Sequence, residues 1–150
     1  MLNKFFLVLV CSLLLISTAL PAKSDDSPTT PVSDPAFEKA AMTVKKGDYK
    51  QAIVLLQDIV AKKPNNADAW NYIGFSHRKL GQMDEALKGY KKALAINPDH
   101  KGAHEYLGEL YVETGRMDKA KHHLAKLDGL CFFGCEEYDD LKAAIKAAGG

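Results

Sequence analysis

A period of 34 residues constrains this chain more than any other feature of it. Gly47, Gly81 and Gly115 stand 34 apart, and so do Ala52, Ala86 and Ala120. Tyr49, Met83 and Met117 form a third column and Leu56, Tyr90 and Leu124 a fourth, while Pro64 and Pro98 keep the same interval. Four columns held through three copies mark a stacked array, in which each unit covers the apolar face of the next.

Each copy reads as two helices. In the first, residues 36–46 make one helical segment, Gly47 can take the left-handed conformation that stops it, and residues 49–62 follow with Ile53, Leu56, Ile59 and Val60 at helical spacing. The spacing predicts 67–80 and 83–96 in the second copy, and 101–114 and 117–127 in the third. Small residues fall where paired helices must approach: Ala40, Gly74 and Gly108 on the first helices, Ala52, Ala86 and Ala120 on the second. A glycine inside a helix costs ~1 kcal/mol against alanine, and close backbone packing is the expected compensation. Residues 136–148 form a further helix, with Leu141, Ala144, Ile145 and Ala148 on one face, suited to capping the last open apolar surface.

The array does not begin at the first residue. Lys4, the apolar run FFLVLVCSLLLI and the small-residue exit STALPA follow in the order of a secretory signal peptide over residues 1–22. Cleavage is expected after Ala22, with Ala19 as the alternative. A retained anchor is the other reading, against which the apolar run falls short of the ~20 residues a span needs. Cys11 follows Val10, not the small residue that lipidation requires. Residues 23–34, KSDDSPTTPVSD, are too polar to bury a core and read as a flexible linker. Asp34 and Pro35 then supply an N-cap and a first helical position. The expected location is periplasmic or secreted, with no stable membrane anchor after cleavage. Loss of Lys4 takes the formal net charge from +1 to zero, and no basic stripe suggests a nucleic-acid partner.

The second copy reads W-N-Y-I-G-F-S-H from Trp70, then Gly81, Ala86, Tyr90, Ala93 and Pro98. It resembles the tetratricopeptide repeat, with Ile73 in place of its Leu and His77 in place of its Tyr. The third copy keeps Leu107, Gly108 and Tyr111 but has His104 at the Trp position and no closing Pro. The resemblance covers residues 33 to about 128. It implies an all-α solenoid of three repeats, at about 33–66, 67–100 and 101–128, closed by the capping helix in a domain spanning 35–150. It also implies that the first helices line a groove holding a protein or peptide segment. The positions facing that groove would be Phe37, Ala41 and Val44, then Asn71, Phe75, Arg78 and Lys79, then Glu105, Glu109 and Glu113. The glutamates, four apart, form one row that would suit a basic and apolar segment. Alternatively, Arg78 and Lys79 neutralise the row across the repeat boundary, or it is a solvated face. The Lys/Arg/Asn clamp by which some family members hold a carboxylate is unmatched, because Phe37 and Ala41 replace its polar residues.

Cys131 and Cys135 enclose Phe132, Phe133 and Gly134 in the elbow before the cap. In an exported chain the pair reads as a disulfide staple, with Phe132 and Phe133 packed under the cap. A thiol-redox role is a second reading, although redox motifs carry two intervening residues, not three. Copper or zinc held by Cys131, Cys135 and His123 is a third. His77 and His104, at repeat positions that usually pack inward, read as structural. The segment LCFFGCEEYDDLKAAI resembles the tail of small exported bacterial repeat proteins. No nucleophile motif, acid–base couple or phosphate loop is present, so neither an enzyme nor a cofactor is expected. The function expected is an exported protein-interaction scaffold. The alternative is a metal-handling or redox accessory protein using Cys131 and Cys135.

Overall fold

Four of the seven helix starts carry a side-chain cap. Asp34 caps α1 (Pro35–Lys45) by accepting from the Ala36 amide at 3.0 Å, and Pro35 occupies the first turn, where a missing N–H costs nothing. Asp48 caps α2 (Tyr49–Lys62), and Asn66 caps α3 (Ala67–Lys79) through the Ala69 amide at 2.9 Å. Helices α4 (Met83–Ile96), α5 (Lys101–Glu113), α6 (Met117–Leu130) and α7 (Glu136–Ala147) complete the array. The computed structural model describes residues 34–150, which hold these seven helices and no strand. The signal peptide read at 1–22 and all but the last residue of the linker lie outside the described residues. Among the described residues no helix is long and apolar enough to cross a membrane.

The turn within each pair depends on one backbone conformation. Gly47, Gly81 and Gly115 have φ of 79°, 75° and 70°, where a side chain would be strained. Amides just past the helix then return to its last carbonyls, as Gln82 N does to His77 O at 2.9 Å.

Helices pack with their chain neighbours, and the first helices also meet one another: α1 with α3, α3 with α5, α5 with α7. Ala40, Ala52, Ala86 and Ala120 are fully buried, as their columns predict. Gly74 lies against the Tyr90 ring, and a Cβ there would stand 2.7 Å from it. Gly89, which falls in no repeated column, meets the Gly74 backbone from the other side; its Cβ would lie 2.7 Å from Gly74 N. Two glycines, not one, therefore let α3 and α4 cross closely. One core cluster is centred on Leu56 in the first repeat and another on Tyr90, Leu110 and Leu127 in the last two. Phe75 packs against both and joins them.

Helix α7 docks on α5 and α6 as a further first helix would. Leu141 is fully buried and fills the place a side chain at residue 108 would need. Burying such a leucine contributes about 1.5–3 kcal/mol. Helix α6 runs to Leu130, three residues past the expected end at 127, because no proline interrupts it.

The elbow corrects the sequence reading. Phe132 and Phe133 do not pack under the cap: they are 88% and 104% exposed. The Cys131–Cys135 loop is too short to fold its tip back while α7 already fills the last face through Leu141 and Ile145.

Candidate functional site

The first helices carry a row of aromatic rings. Phe37 of α1 packs on Tyr72 of α3 with centroids 5.7 Å apart, and Phe75 of α3 packs on Tyr106 of α5 at 4.9 Å. All four are half-buried. The two pairs place half-buried aromatic surface on the first helices, with hydroxyls at Tyr72 and Tyr106.

Arg78 divides the glutamate row. Its side chain is 5% exposed, and it donates from Nη2 to Glu109 at 2.5 Å and from Nη1 to Glu113 at 2.7 Å. The guanidinium carbon also lies 5.7 Å from the centres of the Phe75 and Tyr106 rings. The fork geometry of arginine makes this bridge between α3 and α5 possible. Of the two neutralisers considered from sequence, only Arg78 acts: Lys79 instead places its ammonium 5.1 Å over the Phe75 ring. Glu109 and Glu113 are thus committed to an internal pair.

Glu105 has no such partner. It is 7% exposed, yet among the described residues its side chain makes no hydrogen bond or ion pair. It lines a recess between α3, α5 and α7 of about 320 Å³. The same recess receives Asp68 and Asn71 from α3, and Glu136, Glu137 and Asp140 from α7. Burial, reinforced by the charges of Glu109, Asp140 and Glu137 and opposed by Arg78, pushes the Glu105 carboxyl up to about 8. Asn71 is 5% exposed and its Oδ1 is buried without a hydrogen-bond partner. At the rim, His100 accepts from the Ala103 amide through Nδ1 at 3.1 Å, so its proton sits on Nε2, 3.1 Å from Asp68 Oδ1. That ring holds the Asp68 carboxyl below the usual carboxylate range.

Nothing in the sequence separated Glu105 from Glu109 and Glu113. The contribution of α7 to the same recess was also missed, because only its apolar face was used in reading it as a cap. The signal was present in the density of acids at 136–140, where Glu136, Glu137, Asp139 and Asp140 crowd one turn of helix.

The cysteine alternatives lack support from the geometry. Cys131 and Cys135 are bonded to each other with Cα atoms 5.6 Å apart, which leaves no thiolate for a metal or an exchange reaction in this state. His123 turns away to His104, with ring nitrogens 2.8 Å apart, and stacks on Tyr111. Among the described residues no three His, Cys, Asp or Glu side chains are grouped to hold a metal ion.

Comparison with known proteins accords with this geometry. Residues 67–100 match the tetratricopeptide repeat family model. Over 58 residues the chain is 33% identical to superkiller complex protein 3 of Homo sapiens, covering 39% of this chain and 4% of that protein. MamA from residue 41 to its end, from Desulfovibrio magneticus RS-1, superposes with a TM-score of 0.60 at 26% identity, over 63% of this chain and 54% of that one. The first tetratricopeptide domain of Spaghetti, solved with the HSP90 peptide SRMEEVD, superposes with a TM-score of 0.66 at 19% identity, over 77% and 91% of the two chains. That last likeness concerns the fold alone. The chain thus spans a small part of the first protein and about half of the second.

Proposed function

We propose that this tetratricopeptide-repeat protein is an exported scaffold that holds a basic and apolar segment of a partner protein along its first helices. The observation that carries the reading is the union of two surfaces on one side of the array. The aromatic row from Phe37 to Tyr106 offers apolar contact area, and it leads into the acidic recess around Glu105. Aromatic rings bury large areas with few rotors to freeze, which makes them effective anchors for an extended or helical segment. The acids oppose an acidic ligand, so a peptide such as SRMEEVD, bound by Spaghetti, is the wrong charge here. Export rests on the leader-like order of charge, apolar run and small residues in 1–22. An oxidising compartment would keep the Cys131–Cys135 bond intact.

A photo-crosslinking side chain placed at Lys79 or Asp140 tests the reading against the same group at Lys91 or Lys121, which are exposed on second helices. The expected result in cells is a discrete adduct from the first pair only, joined through one segment of one partner. Equal adducts from both pairs, or none from the first, would remove the groove as the working surface.

A further inference from the structure

We propose that the recess between α3, α5 and α7 is an arginine pocket, taking one guanidinium from the partner segment into contact with Glu105, Asn71 and the α7 acids. The proposal deepens the scaffold reading and rests on it. Three observations support it.

First, the recess is richer in acceptors than in donors. Asn71 Oδ1 is buried without a hydrogen-bond partner, and Glu105 is buried without an ion pair among the described residues. A buried acceptor without a partner such as Asn71 Oδ1 is disfavoured, and the guanidinium nearest to it in the chain forms its bonds elsewhere. Arg78, on the same helix as Asn71, directs its two Nη groups to Glu109 and Glu113. A ligand that donates several hydrogen bonds would satisfy what the chain leaves open.

Second, the acids are dispersed. Asp68 sits at one wall, Glu105 on the floor, and Glu136, Glu137 and Asp140 at the other wall, yet no three of them are grouped to hold a metal ion. A divalent ion needs its oxygens to converge on one point. A guanidinium presents five N–H donors across a plane and can reach separated acceptors at once. An ammonium offers three donors from a single atom and would leave the far wall unserved.

Third, the size and walls fit. About 320 Å³ lies at the small end of ligand sites, enough for a single long side chain. Tyr72 and Tyr106 flank the recess, and arginine stacks on aromatic faces as lysine does less well.

Binding must also carry a pH signature. The groups facing Glu105 are Asp68, Tyr72 and Arg78 from α3, Tyr106 and Glu109 from α5, Glu136, Glu137 and Asp140 from α7, and His100 at the rim. Only Arg78 among them bears a fixed positive charge, so near neutral pH Glu105 is largely protonated, and a bound guanidinium would expel that proton. Affinity therefore rises with pH up to about 8 and levels off above it.

The test titrates the purified protein with N-acetyl-arginine amide, with its citrulline counterpart, which has the same shape without the charge, and with N-acetyl-lysine amide. Saturable binding of the arginine compound is expected below about 10 mM, with citrulline and lysine weaker by about tenfold or more. Glu105→Gln should lose about tenfold in arginine affinity and the pH dependence with it, while remaining folded. A second variant, Asp140→Asn, at an exposed position that bears no packing load, should weaken binding by a few-fold. Equal binding of citrulline or lysine, unchanged arginine affinity in Glu105→Gln, or no saturation by about 10 mM would each overturn the pocket. Failure here leaves the crosslinking test of the groove untouched, so the two readings can fall separately.

Discussion

Trp70 and His104, one repeat apart, donate the same hydrogen bond: the indole Nε1 to the Pro64 carbonyl at 2.9 Å, the imidazole Nε2 to the Pro98 carbonyl at 2.8 Å. The histidine thus serves as a smaller tryptophan, fastening the inter-repeat turn to the helix after it. Its proton must sit on Nε2, so its Nδ1 accepts from His123 Nδ1 at 2.8 Å. His104 is therefore neutral in the fold, while His123 needs a proton on Nδ1 alone to complete the contact. Burial holds His104 below its ordinary value, and burial together with His104 and His122 brings His123 down to about 4.

An acid-sensitive window follows. The folded pKa of His123 lies below its ordinary 6.5, so the unfolded chain takes up protons first. Stability is complete above about 6.5 and is lost progressively as pH falls towards 4. Urea denaturation across that range should show a falling midpoint. His123→Gln should flatten the fall at a cost of about 1 kcal/mol near neutrality, from the altered bond to His104. An unchanged slope would mean that the rings are not buried neutral.

The bridge from Arg78 makes an unequal trio. Arg78→Ala should cost about 2–3 kcal/mol in denaturation free energy, since it frees two carboxylates that water can partly reach and also removes packing on Phe75 and Tyr106. Glu113→Gln, at an exposed end, should cost about 0.5 kcal/mol. Glu109→Gln should fall between them. Arg78→Lys should not rescue, because a single ammonium cannot span both acceptors. Equal effects of Glu109→Gln and Glu113→Gln would contradict this arrangement.

These relationships indicate how far the sequence could be read. The period located six of the seven helices because each copy repeats its own stop and small-residue contact, and the apolar face of 136–148 located the seventh; such signals are local. Gly47, Gly81 and Gly115 needed no tertiary information. What escaped depends on how one repeat sits on the next. Four-residue spacing places Glu105, Glu109 and Glu113 on one face, but only the angle between α3 and α5 decides that Arg78 reaches the last two and leaves the first buried. Phe132 and Phe133 misled for a related reason: apolar residues between cysteines look like core, whereas the last apolar face was already covered by Leu141.

Cap docking can be tested at one atom. A Cβ at residue 108 would collide with Leu141, so Gly108→Ala should lose about 1–3 kcal/mol by overpacking, despite the better helix propensity of alanine. Leu141→Ala alone should cost about 2–5 kcal/mol. The pair combined should cost less than the sum, because the new methyl fills part of the space that Leu141 leaves. Thermal denaturation of the four chains closes this cycle, and strict additivity would show that α7 does not rest on Gly108.

The elbow separates its staple from its tip. Replacing both Cys131 and Cys135 with serine should cost roughly 2 kcal/mol on the chain-entropy account of so short a loop. Replacing exposed Phe132 and Phe133 with serine should change stability by no more than about 0.5 kcal/mol. A large loss from the phenylalanine change would show that they pack after all.

Glu105 should show a conflict between stability and use. Its folded pKa of about 8 lies above the ordinary 4.5, so this carboxyl favours the fold fully below about 4.5 and loses that advantage as pH rises through 8. Near neutrality and above, wild type must either keep a proton on Glu105 or hold a buried anion beside Glu109, Glu137 and Asp140, both at a cost. Glutamine carries no such cost and preserves the shape. Glu105→Gln should therefore be nearly neutral at about pH 5 and stabilising by on the order of 1–2 kcal/mol at about pH 9, discounted for the open side of the recess. Denaturation midpoints at the two pH values give the answer. A variant more stable than wild type in alkali, yet poorer at holding arginine, would mark Glu105 as a residue kept for binding at the expense of the fold. A destabilised variant would mean that the carboxylate has an internal partner, and the recess would lose its reason to seek an outside one.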